Sequence, residues 1–271
     1  MMMKAARRWL WRVGRSALLL YVIGGLLACM IAERLIFQPQ TSSYGADLPR
    51  LRSVPAADGT PLAVLHLSNP SARRTILYFH GNAEDLGDNL PLLRAFHAAG
   101  FAVLAFDYRG YGRSSGRATE KNVYADTQAV LAFARAQLGL KTEQCVVVGR
   151  SVGSGPAVEL ASRERMAGLV LISPFMSAFR VVTRVKLLPF DRFDNLAKIS
   201  RVRCPVLIFH GQADEVISWA HGERLFAAAA EPKRSVWLDG AQYNDLFVVA
   251  GDRVLREIAS WAKTLPGPAD R

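Results

Sequence analysis

Read for its apolar and polar positions, the chain divides into two parts. Residues 16–32, SALLLYVIGGLLACMIA, carry no charge. They predict one helix that is apolar on every face, unlike the one-sided stripe of a helix on a soluble core. Beyond them, short apolar runs alternate with longer stretches of helical period. Strands are predicted at 62–67, 75–80, 101–106, 145–149, 169–173, 205–210 and 235–238. Helices are predicted at 84–99, 119–138, 153–162, 219–230 and 245–263. Runs such as TILYFH and CVVVG are almost wholly apolar, as in strands buried on both faces. Strand and helix in alternation mean a mostly parallel sheet covered by helices, one α/β domain. The stretch 174–203 breaks the alternation and is expected as an insertion above the sheet. The polar, proline-bearing stretch 38–50 is expected to link an N-terminal segment, 1–37, to a domain over 51–271.

Charge changes the reading of the first part. Lys4, Arg7, Arg8, Arg12 and Arg15 precede the apolar run with no acid among them. Seventeen helical residues span about 25 Å, slightly less than a hydrocarbon core of about 30 Å. Trp9, Trp11, Leu35, Ile36 and Phe37 can extend the apolar length. An uncleaved signal anchor is the leading reading. A cleaved signal peptide is the second, and a lipoprotein signal at Leu26-Leu27-Ala28-Cys29 the third. The cationic flank predicts a cytoplasmic N-terminus and a domain on the extracytoplasmic side. It also accounts for five of the formal net +11, leaving +6 for the rest. That remainder is mild, and with no recognition motif beside it nucleic acid is not an expected partner. The three cysteines form no CxxC or Cys/His spacing, so neither a disulfide framework nor zinc is expected. No cofactor or dinucleotide motif appears.

In a sheet of this kind, chemistry collects beyond the carboxyl ends of the strands. After the strand at 145–149 comes Gly149-Arg150-Ser151-Val152-Gly153, opening a helix. Gly-x-Ser-x-Gly between strand and helix is a nucleophile elbow, which makes Ser151 the candidate nucleophile. After the strand at 75–80, the loop His80-Gly81-Asn82-Ala83 can supply a backbone donor. Asn82 N–H (or Ala83 N–H) with Val152 N–H would form an oxyanion hole. His80 is read mainly as a brace for this loop. After the strand at 205–210, Asp214 stands where a triad acid belongs, with Glu215 the neighbouring alternative and a helix N-cap the structural one. After the strand at 235–238 a histidine is needed, and none follows His221. The Gly-rich turn at 107–112 is read as a rim loop rather than a phosphate cradle. The insertion at 174–203 interleaves cations with apolar residues. It reads either as a lid that also leans on anionic lipid or as a solvated cap.

The motifs FHGNAED, DYRGYGRSSG, GRSVGSGPAVELA, ISPFMS, CPVLIFHGQADEVI and GAQYND together resemble the α/β-hydrolase superfamily. They look most like its depalmitoylase-type, serine-aminopeptidase-like membrane-associated branch. The resemblance covers about 50–265. It implies the α/β-hydrolase fold with an eight-stranded sheet, Ser151 as nucleophile, Asp214 as acid, and Asn82 and Val152 as oxyanion donors. The family pattern Gly-x-x-His-Asn-Asp is met here by Gly240-Ala241-Gln242-Tyr243-Asn244-Asp245, so Tyr243 occupies the histidine position. A phenol with an ordinary pKa near 10 is a poor base at neutral pH. Two functions are therefore carried forward. One is a membrane-anchored serine hydrolase acting on an ester, thioester or amide of an acylated substrate. The other is a catalytically impaired, hydrolase-shaped binding protein.

Overall fold

The computed structural model describes residues 2–266, with side chains from residue 7 onward. The side chain of Lys4 in the cationic cluster and residues 267–271 of the expected domain lie outside that set. Two compact units result, Met1–Ile36 and Phe37–Arg271. The first is a single helix, α1 (Met2–Ile36). Its stretch Arg7–Ile36 is long and apolar enough to cross a membrane.

The second unit is built on one eight-stranded sheet in the order β1-β2-β4-β3-β5-β6-β7-β8. The strands are β1 (Leu51–Pro55), β2 (Pro61–Leu67), β3 (Thr75–Phe79), β4 (Ala102–Phe106), β5 (Cys145–Arg150), β6 (Gly168–Ile172), β7 (Val206–Gly211) and β8 (Lys233–Leu238). β2 runs antiparallel to both its neighbours, β1 and β4, and β3 to β8 are mutually parallel. Every residue of β3, β4, β6 and β7 is buried, which is why those runs lack a polar alternation. The covering helices are α2 (Leu86–Ala98), α3 (Glu120–Leu138), α4 (Ser154–Arg163), α6 (Ala220–Ala228) and α7 (Leu246–Thr264), with the short α5 (Ala178–Thr183) inside the insertion. Local chemistry sets their ends. The Asp85 side chain accepts from the Gly87 and Asp88 N–H groups, while Asp88 reaches back to Asp85 N–H. Thr119 caps α3, and Gly139 ends it in the left-handed region at φ 64°.

Two expectations change. The strand β1 is absent from the pattern read above. It is a five-residue edge strand in which Val54 alone is buried, so its burial leaves almost no periodic trace. The stretch 38–50, expected as a linker, is bonded into the domain, which already begins at Phe37. Phe37 is buried and stands edge-on to Phe193 and Tyr111. Gln38 N–H donates to Asn82 Oδ1 at 2.9 Å. Ser43 N–H donates to Asp85 Oδ2 at 2.7 Å, and the Tyr44 hydroxyl donates to Asp107. The polar groups of this stretch thus satisfy the Asn82 amide and two buried carboxylates, Asp85 and Asp107.

Candidate active site

Ser151 follows β5 directly and begins a turn of 3₁₀ helix that leads into α4. Its φ of 51° lies in the left-handed region, a cost of order 1–3 kcal/mol for a residue with a side chain. The flanking glycines permit the turn. A Cβ on Gly149 would stand 2.6 Å from the Cβ of Ala157, and one on Gly153 would collide with the carbonyls of Phe79 and His80. Strand and helix thus approach more closely than any side chain allows, and the close approach presents Ser151 at the end of the sheet. Val152 sits in the first turn, where N–H groups have no intrahelical acceptor.

The β3 loop is wired to this elbow. Arg150 pairs with Glu84, whose other oxygen accepts from Gly81 N–H at 3.2 Å and Asn89 Nδ2 at 3.1 Å. Asn82 is held by its side chain, its Oδ1 accepting from Gln38 N–H and from the Tyr111 hydroxyl at 2.6 Å. Ala83 has φ 54°, so the backbone turns sharply here. His80 is buried, with Nδ1 2.8 Å from the Gly81 carbonyl and its ring stacked on Tyr108 at 4.1 Å. Burial pushes its pKa below the ordinary value. The rim loop 107–112 is likewise bonded to its surroundings, with Tyr108 Oη donating to the His80 carbonyl and Arg109 bridging Asp126 and Asp58.

Asp214 lies in the loop after β7. Its Oδ1 accepts from Val216 N–H at 3.0 Å and Ile217 N–H at 2.7 Å. Its Oδ2 is buried and has no hydrogen-bond partner among the described residues. His210 Nε2 is 3.4 Å from that oxygen but is committed to the Ile217 carbonyl at 2.7 Å. His221 Nδ1 accepts from Met176 N–H at 3.1 Å.

Tyr243 completes the cluster. Its hydroxyl donates to Ser151 Oγ at 2.6 Å, and among the described residues no imidazole hydrogen-bonds that oxygen. Burial raises the Tyr243 pKa, while the Ser151 contact and the nearby Arg150 offset it only in part. The guanidinium of Arg150 lies 6.0 Å from the Tyr243 ring and 5.1 Å from that of Phe247. A neutral phenol donating to Ser151 Oγ occupies the lone pair a nucleophile would use and takes no proton from it.

The structure thus brings together Ser151, Val152 and Tyr243 at the end of β5, with the Asn82 loop joined through Arg150. Asp214 stands at the same edge of the sheet with one oxygen unmatched. Arg150 and Glu84 were missed from sequence because Arg150 is the unspecified x of Gly-x-Ser-x-Gly and Glu84 stands 66 residues away. Only their opposite charges hinted at a pairing.

Comparisons with known proteins bear on the family and the fold. Residues 70–190 match the family described as serine aminopeptidase, S33. Alpha/beta hydrolase domain-containing protein 17B from Homo sapiens is 40% identical over 181 residues, covering 66% of this chain and 63% of that protein. Protein aho-3 of Caenorhabditis elegans, of the same description, is 39% identical over 183 residues, covering 65% of this chain and 54% of that one. The chain therefore spans less than two thirds of these relatives. An esterase of Pyrococcus furiosus aligns at a TM-score of 0.71 and 17% identity, covering 84% of this chain and 98% of the esterase. An esterase of Rhodococcus aligns at 0.64 and 19%, covering 80% and 100%. Those two likenesses concern the fold. With the strained serine turn, the eight-stranded sheet and the matched hydrolase relatives in agreement, the chain belongs to the α/β-hydrolase superfamily.

Proposed function

We propose that the protein is a membrane-anchored serine hydrolase that cleaves an ester, thioester or amide bond of an acylated substrate. Ser151 is the nucleophile. The observation that carries the reading is the strained turn at Ser151, held at φ 51° between two glycines that admit no side chain. Such strain persists where the surroundings over-determine it, as the two close-packed glycines do here. Ser151 Oγ attacks the acyl carbonyl, and the developing oxyanion is held by the N–H groups of Asn82 and Val152. Asp214 is the acid of the incomplete triad. The helix α1 is the membrane anchor, uncleaved, with its cationic end cytoplasmic and the domain on the extracytoplasmic side. The acyl part of the substrate comes from a small molecule or a lipid-modified partner.

The contact between Tyr243 and Ser151 favours a second reading, a catalytically impaired hydrolase that binds acylated ligands without turning them over. In other serine hydrolases, loss of the histidine costs about 10⁶ in kcat and leaves about 10³–10⁴ over water. Hydrolysis of short and long p-nitrophenyl esters by the wild type, Ser151→Ala and Tyr243→His separates the two. Slow turnover by the wild type that Ser151→Ala abolishes, with at least a ~10²-fold gain in Tyr243→His, supports the first reading. Wild-type rates equal to those of Ser151→Ala, with activity in Tyr243→His alone, support the second. Inactivity of all three proteins sinks the assignment of Ser151.

A further inference from the structure

Within the domain, exposed large apolar side chains are confined to one end of the sheet. Among the described residues they are Val182, Val185, Leu187, Val216, Val248 and Val249. Val182, Val185 and Leu187 belong to the insertion after β6, and Val216 to the loop after β7. Val248 and Val249 stand in the first turn of α7 after β8. Since β5 to β8 are parallel, all three segments leave the sheet at the end where Ser151 leaves β5. Scattered exposed valines need no explanation, but their confinement to this one end does.

The outward stripe of α7 sharpens the point. Further along the helix it is charged, with Asp252, Arg253 and Arg256 exposed. In the first turn, one helical turn earlier on the same face, the positions hold Val248 and Val249, 87% and 60% exposed. The stripe changes from charged to aliphatic where the helix reaches the Ser151 end. Val182 reaches 85% exposure on α5.

Cations interleave with the aliphatic residues that the insertion gives to this rim. Residues 180–187 hold Arg180, Arg184 and Lys186 and no acid. Arg184 and Lys186 are exposed there, beside Val185. Lys186 and Arg180 approach Asp194 at 3.9 Å, and Glu215 is the exposed acid beside Val216. Aliphatic side chains flanked by excess positive charge match the interface of a bilayer containing anionic lipid.

We propose that the rim formed by Val182, Val185, Val216, Val248 and Val249, with Arg184 and Lys186, docks onto an anionic lipid bilayer surface. This contact is separate from the one assigned to α1. It turns the Ser151 end of the sheet toward acyl chains in the leaflet, a consequence that rests on the hydrolase reading, whereas the docking itself does not.

The full chain in a Cys29→Ser background, where Cys145 and Cys204 are buried, serves for the test. It is reconstituted into phosphatidylcholine vesicles with or without phosphatidylserine. An environment-sensitive fluorophore is attached through Val182→Cys, Val248→Cys, Leu19→Cys in α1, or Ser71→Cys at the opposite end of the sheet, and quenchers are carried on the lipid tails. Labels at 182 and 248 are expected to be quenched severalfold more with phosphatidylserine than without. Arg184→Glu with Lys186→Glu is expected to abolish that difference, and the label at 71 is expected to stay unquenched throughout. Rim labels no more quenched than the label at 71, while the label at 19 is quenched, overturn the docking and leave the anchor standing. Rim quenching without quenching at 19 supports docking and removes the anchor. Rim shielding that depends on protein density at fixed lipid composition indicates contact between copies and overturns the proposal.

Discussion

Asp214 keeps one carboxylate oxygen open, and Tyr243 does not reach it with a hydrogen bond among the described residues. Two backbone N–H groups fix its Oδ1, while its buried Oδ2 accepts no hydrogen bond among the described residues. In a complete triad the acid orients the imidazole and stabilises its charged form, and an amide in its place costs about 10⁴ in kcat. A phenol whose single O–H goes to Ser151 has no second donor to offer the carboxylate. Asp214 and position 243 are therefore expected to be coupled only when a histidine is present. In the wild type, Asp214→Asn is expected to change ester turnover by less than about threefold. In a Tyr243→His background the same change is expected to lower kcat by roughly 10³-fold or more. A double-mutant cycle on kcat measures this. Equal losses in the two backgrounds would show that Asp214 acts on stability or on another base.

At the scale of elements, the insertion hangs on one aromatic side chain. Phe193 is fully buried, and its ring meets Phe37, Tyr124 and Phe175. A Cβ on Gly155 of α4 would run into that ring, so α4, the insertion and the entry segment at Phe37 converge on it. Phe193→Ala removes a large side chain from a site walled by fixed elements, so the cavity cannot collapse fully. A loss of about 3–5 kcal/mol is expected, read from chemical denaturation. Protease cleavage within 174–203 is expected to speed up alongside it, and an unchanged cleavage rate would show that the insertion is anchored elsewhere. Sequence makes this region visible only as a break in the alternation. The seven central and flanking strands and five long helices are legible because burial on both faces and the helical period leave strong patterns. The edge strand β1 and the segment 37–50 are not, because their contacts are polar or single-residue. The site divides in the same way. The elbow at Ser151, Asp214 and the Asn82 loop follow from strand ends and motifs. The place of Tyr243 follows from the Gly240–Asp245 pattern, whereas the Arg150–Glu84 pair arises from side chains meeting at the carboxyl end of the strands, which no linear spacing encodes.

Across the whole molecule, two buried titrating groups bias stability in opposite directions with pH. Burial first, then the neighbouring His210 and Arg180, lowers the His221 pKa to about 4. As pH falls below about 6.5, the unfolded chain binds a proton there that the folded chain refuses, so folding stability is lost between about 6.5 and 4. Burial raises the Asp107 pKa to about 7, against the hydrogen bond from Tyr44. Between about 7 and 4 the folded chain holds a proton there that the unfolded chain has released. That group therefore adds stability as pH falls through the same window and loses it as pH rises. His80, lowered by burial, acts in the same sense as His221. The wild type should consequently show a shallower dependence than either group alone would give. Removing one arm exposes the other. On going from pH 7 to pH 5, His221→Gln is expected to gain in Tm relative to the wild type, and Asp107→Asn to fall relative to it. Each difference should be roughly 3 °C or more, since a domain of this size moves about 2–4 °C per kcal/mol. Thermal melts at the two pH values measure the differences directly, with the full chain in detergent and each variant referred to its own melt at pH 7. Parallel shifts of all three proteins would mean that neither group titrates differently on folding. The cancellation would then have to be sought among the surface carboxylates instead.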